Sequence, residues 1–144
     1  MTSRRIVLLA GVGVVLARPA HATPEALQAA LRAFTGGRTP REGRVTLEIA
    51  ALIDNGNVVP VSVSVQSPMS VEDHVQRIGL FTELNPQPEV AVFHLGPRSG
   101  RAQVATRMRL ATSQTITALA QMSDGSFWQH QVSVIVTLAA CIES

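Results

Sequence analysis

Residues 59–65 read Val-Pro-Val-Ser-Val-Ser-Val, so that every second position is valine. Side chains of an extended strand point alternately to opposite faces. Val59, Val61, Val63 and Val65 therefore make one apolar face, with Pro60, Ser62 and Ser64 on the other. Pro60 has no amide hydrogen to give to a ladder, which places it at a strand start or an edge.

The same period extends to both sides. Upstream, Val45, Leu47 and Ile49 alternate with Arg44, Thr46 and Glu48, and Asp54-Asn55-Gly56-Asn57 marks a turn, since Asn and Gly tolerate positive φ. Downstream, strands are expected over 75–81, 89–95, 101–110, 115–122 and 127–138. They are separated by Asn85-Pro86-Gln87-Pro88, Gly96-Pro97-Arg98-Ser99-Gly100, Ala111-Thr112-Ser113 and Ser123-Asp124-Gly125-Ser126. About seven short strands with no helical interlude predict an all-β chain, an antiparallel β-sandwich of immunoglobulin type. A single cysteine rules out the inter-sheet disulfide of antibody domains, so packing alone must hold it.

One helix precedes the strands. Thr23 is its N-cap, Pro24 its first residue and Glu25 an acid in the first turn. Leu27, Ala30, Leu31 and Phe34 recur at helical spacing, and Gly36-Gly37 ends it. With four Phe, one Trp and no Tyr, the core must come mainly from aliphatic residues.

Residues 1–22 have the pattern of an export signal: Arg4-Arg5, an apolar run from Ile6 to Leu16, and Ala20-His21-Ala22 at the cleavage positions. Ser3-Arg4-Arg5-Ile6-Val7-Leu8 also fits a twin-arginine signal. The run is too short for a span of about 20 residues, so stable membrane insertion is not expected. Removing Arg4, Arg5 and Arg18 leaves nine Arg against ten acids, and no charge argument for nucleic acid survives.

Catalytic constellations are missing from the sequence. His74, His94 and His130 lack metal-ligand spacing, the acids form no evident pair, and no nucleophile–base pair stands out. Gly11 and Gly13 fall within the export signal and carry no nucleotide reading. Arg101, Arg107 and Arg109 share one parity of a strand, either a solvated face or a surface for an anionic partner. Phe127 and Trp128 are adjacent, so one ring is expected inside and the other outward or at an interface. Cys141 is the exception, a lone thiol four residues from the end of an exported chain.

Several blocks together resemble one family. They are Asp54-Asn55-Gly56-Asn57-Val58-Val59-Pro60, Ser67-Pro68-Met69, Phe93-His94, Ser99-Gly100-Arg101-Ala102 and Met122-Ser123-Asp124-Gly125-Ser126-Phe127-Trp128, with Thr35-Gly36-Gly37 at the helix end. In this order they look like SoxY, the sulfur-carrier subunit of the bacterial thiosulfate-oxidising Sox system. The resemblance implies an immunoglobulin-like sandwich over 23–138, a periplasmic location, a heterodimer with a SoxZ-like subunit, and sulfur-handling periplasmic enzymes as partners. It implies no cofactor. It also implies that a cysteine on a C-terminal arm, 139–144 here, carries covalently bound sulfur, and Cys141 occupies that position.

The arm departs from the family's Gly-Gly-Cys-Gly-Gly ending. It reads Ala139-Ala140-Cys141-Ile142-Glu143-Ser144 and is more similar to SoxY-related paralogues with an Ala-Ala-Cys-Ile-Glu arm. Ala139 and Ala140 narrow backbone freedom relative to glycine. Ile142 adds bulk beside the sulfur, and Glu143 adds negative charge that disfavours thiolate. The alternative is a non-covalent adaptor or assembly module that pairs with a SoxZ-like subunit while its tail merely docks.

Overall fold

The computed structural model of the chain describes residues 22–140. The export signal expected over 1–22 lies outside them apart from Ala22, as do Cys141, Ile142 and Glu143 of the arm.

Helix α1 (Pro24–Thr35) begins where its cap residue dictates: the Thr23 Oγ1 accepts the Ala26 amide at 3.0 Å, and Gly36 follows as the C-cap. Nine strands follow, β1 (Arg41–Glu42), β2 (Val45–Glu48), β3 (Leu52–Ile53), β4 (Val59–Val65), β5 (Val75–Thr82), β6 (Glu89–His94), β7 (Gln103–Met108), β8 (Gln114–Met122) and β9 (Phe127–Val136). They form two sheets. The larger runs β1–β9–β8–β5–β6 with β3 also alongside β9, and the smaller runs β2–β4–β7. Packed face to face, they make an immunoglobulin-like β-sandwich with one short helix.

The valine alternation behaves as expected. Val59, Val61, Val63 and Val65 are all buried, while Pro60 is exposed. Register brings Val45 opposite Val65 and Leu47 opposite Val63 on one side, and Val104 opposite Val63 and Met108 opposite Val59 on the other. Ile78, Leu80, Ile116, Ala118 and Ala120 of the larger sheet close the same core.

The seven expected strands are present, and β1 and β3 are additional. Both run parallel to β9, pairing Arg41 with Trp128 and Leu52 with Ile135, so the sheet is antiparallel elsewhere only. Two residues are too few to leave a period in sequence. Between these contacts the chain crosses to the smaller sheet as β2, where the Leu47 amide donates to His130 Nδ1 at 2.8 Å. His130 is thus a satisfied acceptor joining the two sheets along this seam.

The larger sheet is covered on both faces. In β8, Ile116, Thr117, Ala118, Leu119 and Ala120 are buried in succession, where a half-covered strand would alternate. Helix α1 supplies the second cover: Phe34 meets Phe81 and Phe127 edge-on at ring centroid distances of 5.6 and 6.0 Å, over Leu119. Gly79 permits this approach, since a Cβ there would stand 2.9 Å from Phe34 Cε2 and 2.7 Å from Phe81 Cε2. Phe127 and Trp128 do point to opposite faces, yet neither is left open. Phe127 lies under the helix, and Trp128 packs at the core edge with Arg44 and Arg41 guanidinium carbons 5.2 and 5.9 Å from its ring centroid.

Candidate functional site: the root of the C-terminal arm

The last strand does not release the chain where its ladder stops. Beyond β9, the Thr137 amide donates to the Ile53 carbonyl at 2.9 Å and its hydroxyl to the Asp54 carbonyl at 3.1 Å. The Gly56 amide donates to the Leu138 carbonyl at 2.8 Å, and the Ala140 amide to the Leu110 carbonyl at 3.0 Å. Leu110 also donates to the Gly56 carbonyl at 2.8 Å, which closes a three-segment clamp. Ala139 is exposed, whereas the Ala140 methyl is buried. Body contacts therefore continue to the residue immediately before Cys141.

Gly56 sits at the centre of this clamp for a reason other than turn conformation. Its φ is not positive. A Cβ at this position would meet the Leu110 carbonyl oxygen at 2.6 Å, the Ala140 nitrogen at 3.0 Å and Val136 Cγ1 at 3.1 Å. The turn expected here is present at Gly56-Asn57, but the glycine is required by close backbone approach rather than by positive φ.

Leu110, fully buried, is held on both sides by an amide network. Asn85 Nδ2 donates to the Arg109 carbonyl at 2.8 Å, and its Oδ1 accepts the Ala111 amide at 2.9 Å. Gln114 Nε2 donates to the same Oδ1 at 2.9 Å, while its Oε1 accepts the Leu84 amide at 2.8 Å. A buried amide satisfied in this way fixes the segments it joins. None of Asn85, Leu110 and Gln114 stands out by composition as part of an arm anchor, because each reads alone as a loop or strand residue.

The remaining sequence candidates lie elsewhere. Arg101, Arg107 and Arg109 are exposed on one parity, with Ala102, Met108 and Leu110 buried on the other. His74 Nδ1 stands 3.1 Å from the Ser70 carbonyl, and His94 is exposed. Among the described residues no group of three or more His, Cys, Asp or Glu is placed to hold a metal ion. No helix among them is long and apolar enough to cross a membrane.

The family model described as "Sulfur oxidation protein SoxY" matches residues 31–141, from within α1 to the cysteine itself. The chain belongs to the SoxY family. The structure of the sulfur carrier protein SoxY from Chlorobium limicola f thiosulfatophilum superposes with a TM-score of 0.67 at 27% identity, covering 81% of this chain and 100% of that one. Superoxide reductase (neelaredoxin) from Ignicoccus hospitalis is similar with a TM-score of 0.58 at 16% identity, over 65% of this chain and 80% of that one. A superoxide reductase from Nanoarchaeum equitans gives a TM-score of 0.56 at 11% identity, over 67% and 100% respectively. These two are likenesses of fold alone. No curated protein sequence matches the chain. Within the SoxY match, the clamp on Ala140 is the last described feature before Cys141.

Proposed function

We propose that this SoxY-family chain is a periplasmic sulfur carrier, exported by a twin-arginine signal and paired with a SoxZ-like subunit. The observation that carries the reading is that the family match runs to Cys141, the only cysteine in the sequence. Cys141 also follows directly on Ala140, whose amide is the last one anchored among the described residues.

In this reading Cys141 reacts as a thiolate. Joining it to a sulfur anion forms an S–S bond and releases two electrons, which the loading enzyme accepts. The sandwich has no active site of its own; it positions the sulfur, and partner enzymes perform the chemistry. With Ala140 held to Leu110, Cys141 follows the clamp by one residue, about 3.8 Å of backbone, so partners must come to the body.

The test is intact-protein mass spectrometry on protein from thiosulfate-exposed cells, before and after reductant. A reducible sulfur adduct should appear on Cys141 and be absent from Cys141→Ser. An unmodified thiol under loading conditions would remove the carrier reading. The burial of Ala140 supports a second reading, an adaptor whose tail docks without cargo. In that case Cys141→Ser would keep both complex formation and sulfur oxidation in cells.

A further inference from the structure

Six large apolar side chains are exposed among the described residues, and four of them lie on the segments that hold the arm root or lead into it. Leu52 is 60% exposed, Val58 57%, Ile135 62% and Leu138 59%. Leu52 and Ile135 are paired neighbours on β3 and β9, Leu52 and Val58 line one concavity, and the Leu138 carbonyl is held by Gly56. The other two are Val71, in the loop before β5, and Leu84, in the loop after it, whose amide is bonded to the network flanking Leu110. The concavity at Leu52 and Val58 shares Ala50 and Pro60 with a shallow groove over the outer face of β2, β4 and β7. Apolar surface therefore continues from the arm root onto the smaller sheet.

We propose that Leu52, Val58, Ile135 and Leu138 form an apolar collar on which the enzyme that loads Cys141 seats. The inference rests on the carrier reading and adds to it the surface by which the partner is recognised. Its warrant is where the chain leads. The Cys141 Cα is about 3.8 Å from that of Ala140, and Ala140 is held to Leu110 two residues after Leu138 and five after Ile135. A protein that reacts with this sulfur cannot avoid covering the surface around it. Large aliphatic side chains kept in water there, on backbone fixed by the clamp, are suited to the dry centre of such a contact. The partner surface that fits them is an apolar rim around a slot that admits Cys141.

The experiment uses full-length protein made in thiosulfate-exposed cells, as wild type, Leu52→Glu/Ile135→Glu, Val58→Glu, and Val71→Glu as a control. Three quantities are read: the fraction of Cys141 carrying a reducible adduct, the rate at which iodoacetamide alkylates Cys141 in the purified protein, and co-purification of the SoxZ-like subunit. Loading should fall at least about tenfold in the collar variants, as for loss of an interface hot spot. Alkylation and co-purification should be unchanged in them, and Val71→Glu should load like wild type. Equal loading of wild type and both collar variants would overturn the collar while leaving the carrier reading intact. Loss of the SoxZ-like subunit from the collar variants would also overturn it, assigning the patch to that contact. A wild type without adduct would remove the carrier reading, and the collar with it.

Discussion

The two ends of β9 are built to opposite designs. At its start, Phe127 is roofed by α1, and Trp128 is covered by Arg41 and Arg44 and donates its indole N–H to Ser126 Oγ at 3.1 Å. Arg38 adds a bond from its guanidinium to the Gly125 carbonyl at 2.7 Å. At its finish, Ile135 and Leu138 stand in water, and the chain is held mainly by backbone hydrogen bonds, to which the Thr137 hydroxyl and Ser113 Oγ add. One end is fixed by interlocking rings. The other is fixed chiefly through its main chain, which leaves Ile135 and Leu138 available to a partner.

Removing the roof should have the largest effect. Phe34→Ala takes away a ring packed on Phe81 and Phe127, with Arg77 stacked 4.2 Å from its centroid. A loss of about 3–5 kcal/mol is expected in chemical denaturation, with the Ala140 amide no less protected in the folded state. Comparable exchange at both ends in this variant would break the contrast between them.

Gly56→Ala probes the other end. The added methyl collides with the Leu110 carbonyl oxygen and the Ala140 nitrogen, an overpacking that costs about 1–3 kcal/mol. Its distinguishing result is local: hydrogen exchange at the Ala140 amide should accelerate more than at amides of β5 or β8. Uniform acceleration would mean that the clamp is not a separate unit.

The smallest effect concerns pH. Asp124 has its pKa lowered from 3.8, chiefly by the Ser126 hydroxyl at 2.6 Å and then by the Ser126 amide at 2.9 Å. A carboxylate held below its unfolded value stabilises the fold above that value, and the contribution fades as pH falls through the folded one. Asp124→Asn should therefore lower the melting temperature slightly at neutral pH and converge with wild type below about pH 3.8. A gap between the two melting curves that persists at low pH would assign the effect to something other than this charge.

How much of this was legible in sequence follows from the range of each interaction. Val59 to Val65 disclosed a strand because alternation is local, and Thr23-Pro24 disclosed a helix start for the same reason. The parallel seams at Arg41 and Leu52 left no mark, since each spans two residues and depends on a partner more than 80 positions away. The second cover on the larger sheet was half visible: the apolar face of α1 was plain, but its seat over Gly79 was not. Gly56 taught the sharper lesson. Its neighbours Asn55 and Asn57 suggested a turn, whereas its requirement comes from Leu110 and Ala140, which only the folded chain brings near. Cys141 was conspicuous from the first for being alone, but the firm seat immediately before it was not.

The position of β9 within its sheet has a mechanical corollary. It lies between β8 on one flank and β1 and β3 on the other, so hydrogen bonds bind it along β8 and at both ends of its other side. A tug on the terminus directed along the strand would load those bonds together in shear, whereas peeling a strand from a sheet margin breaks them in turn. A pull on the chain at Ala140 is thus shared across the ladder, and the body need not unravel under it.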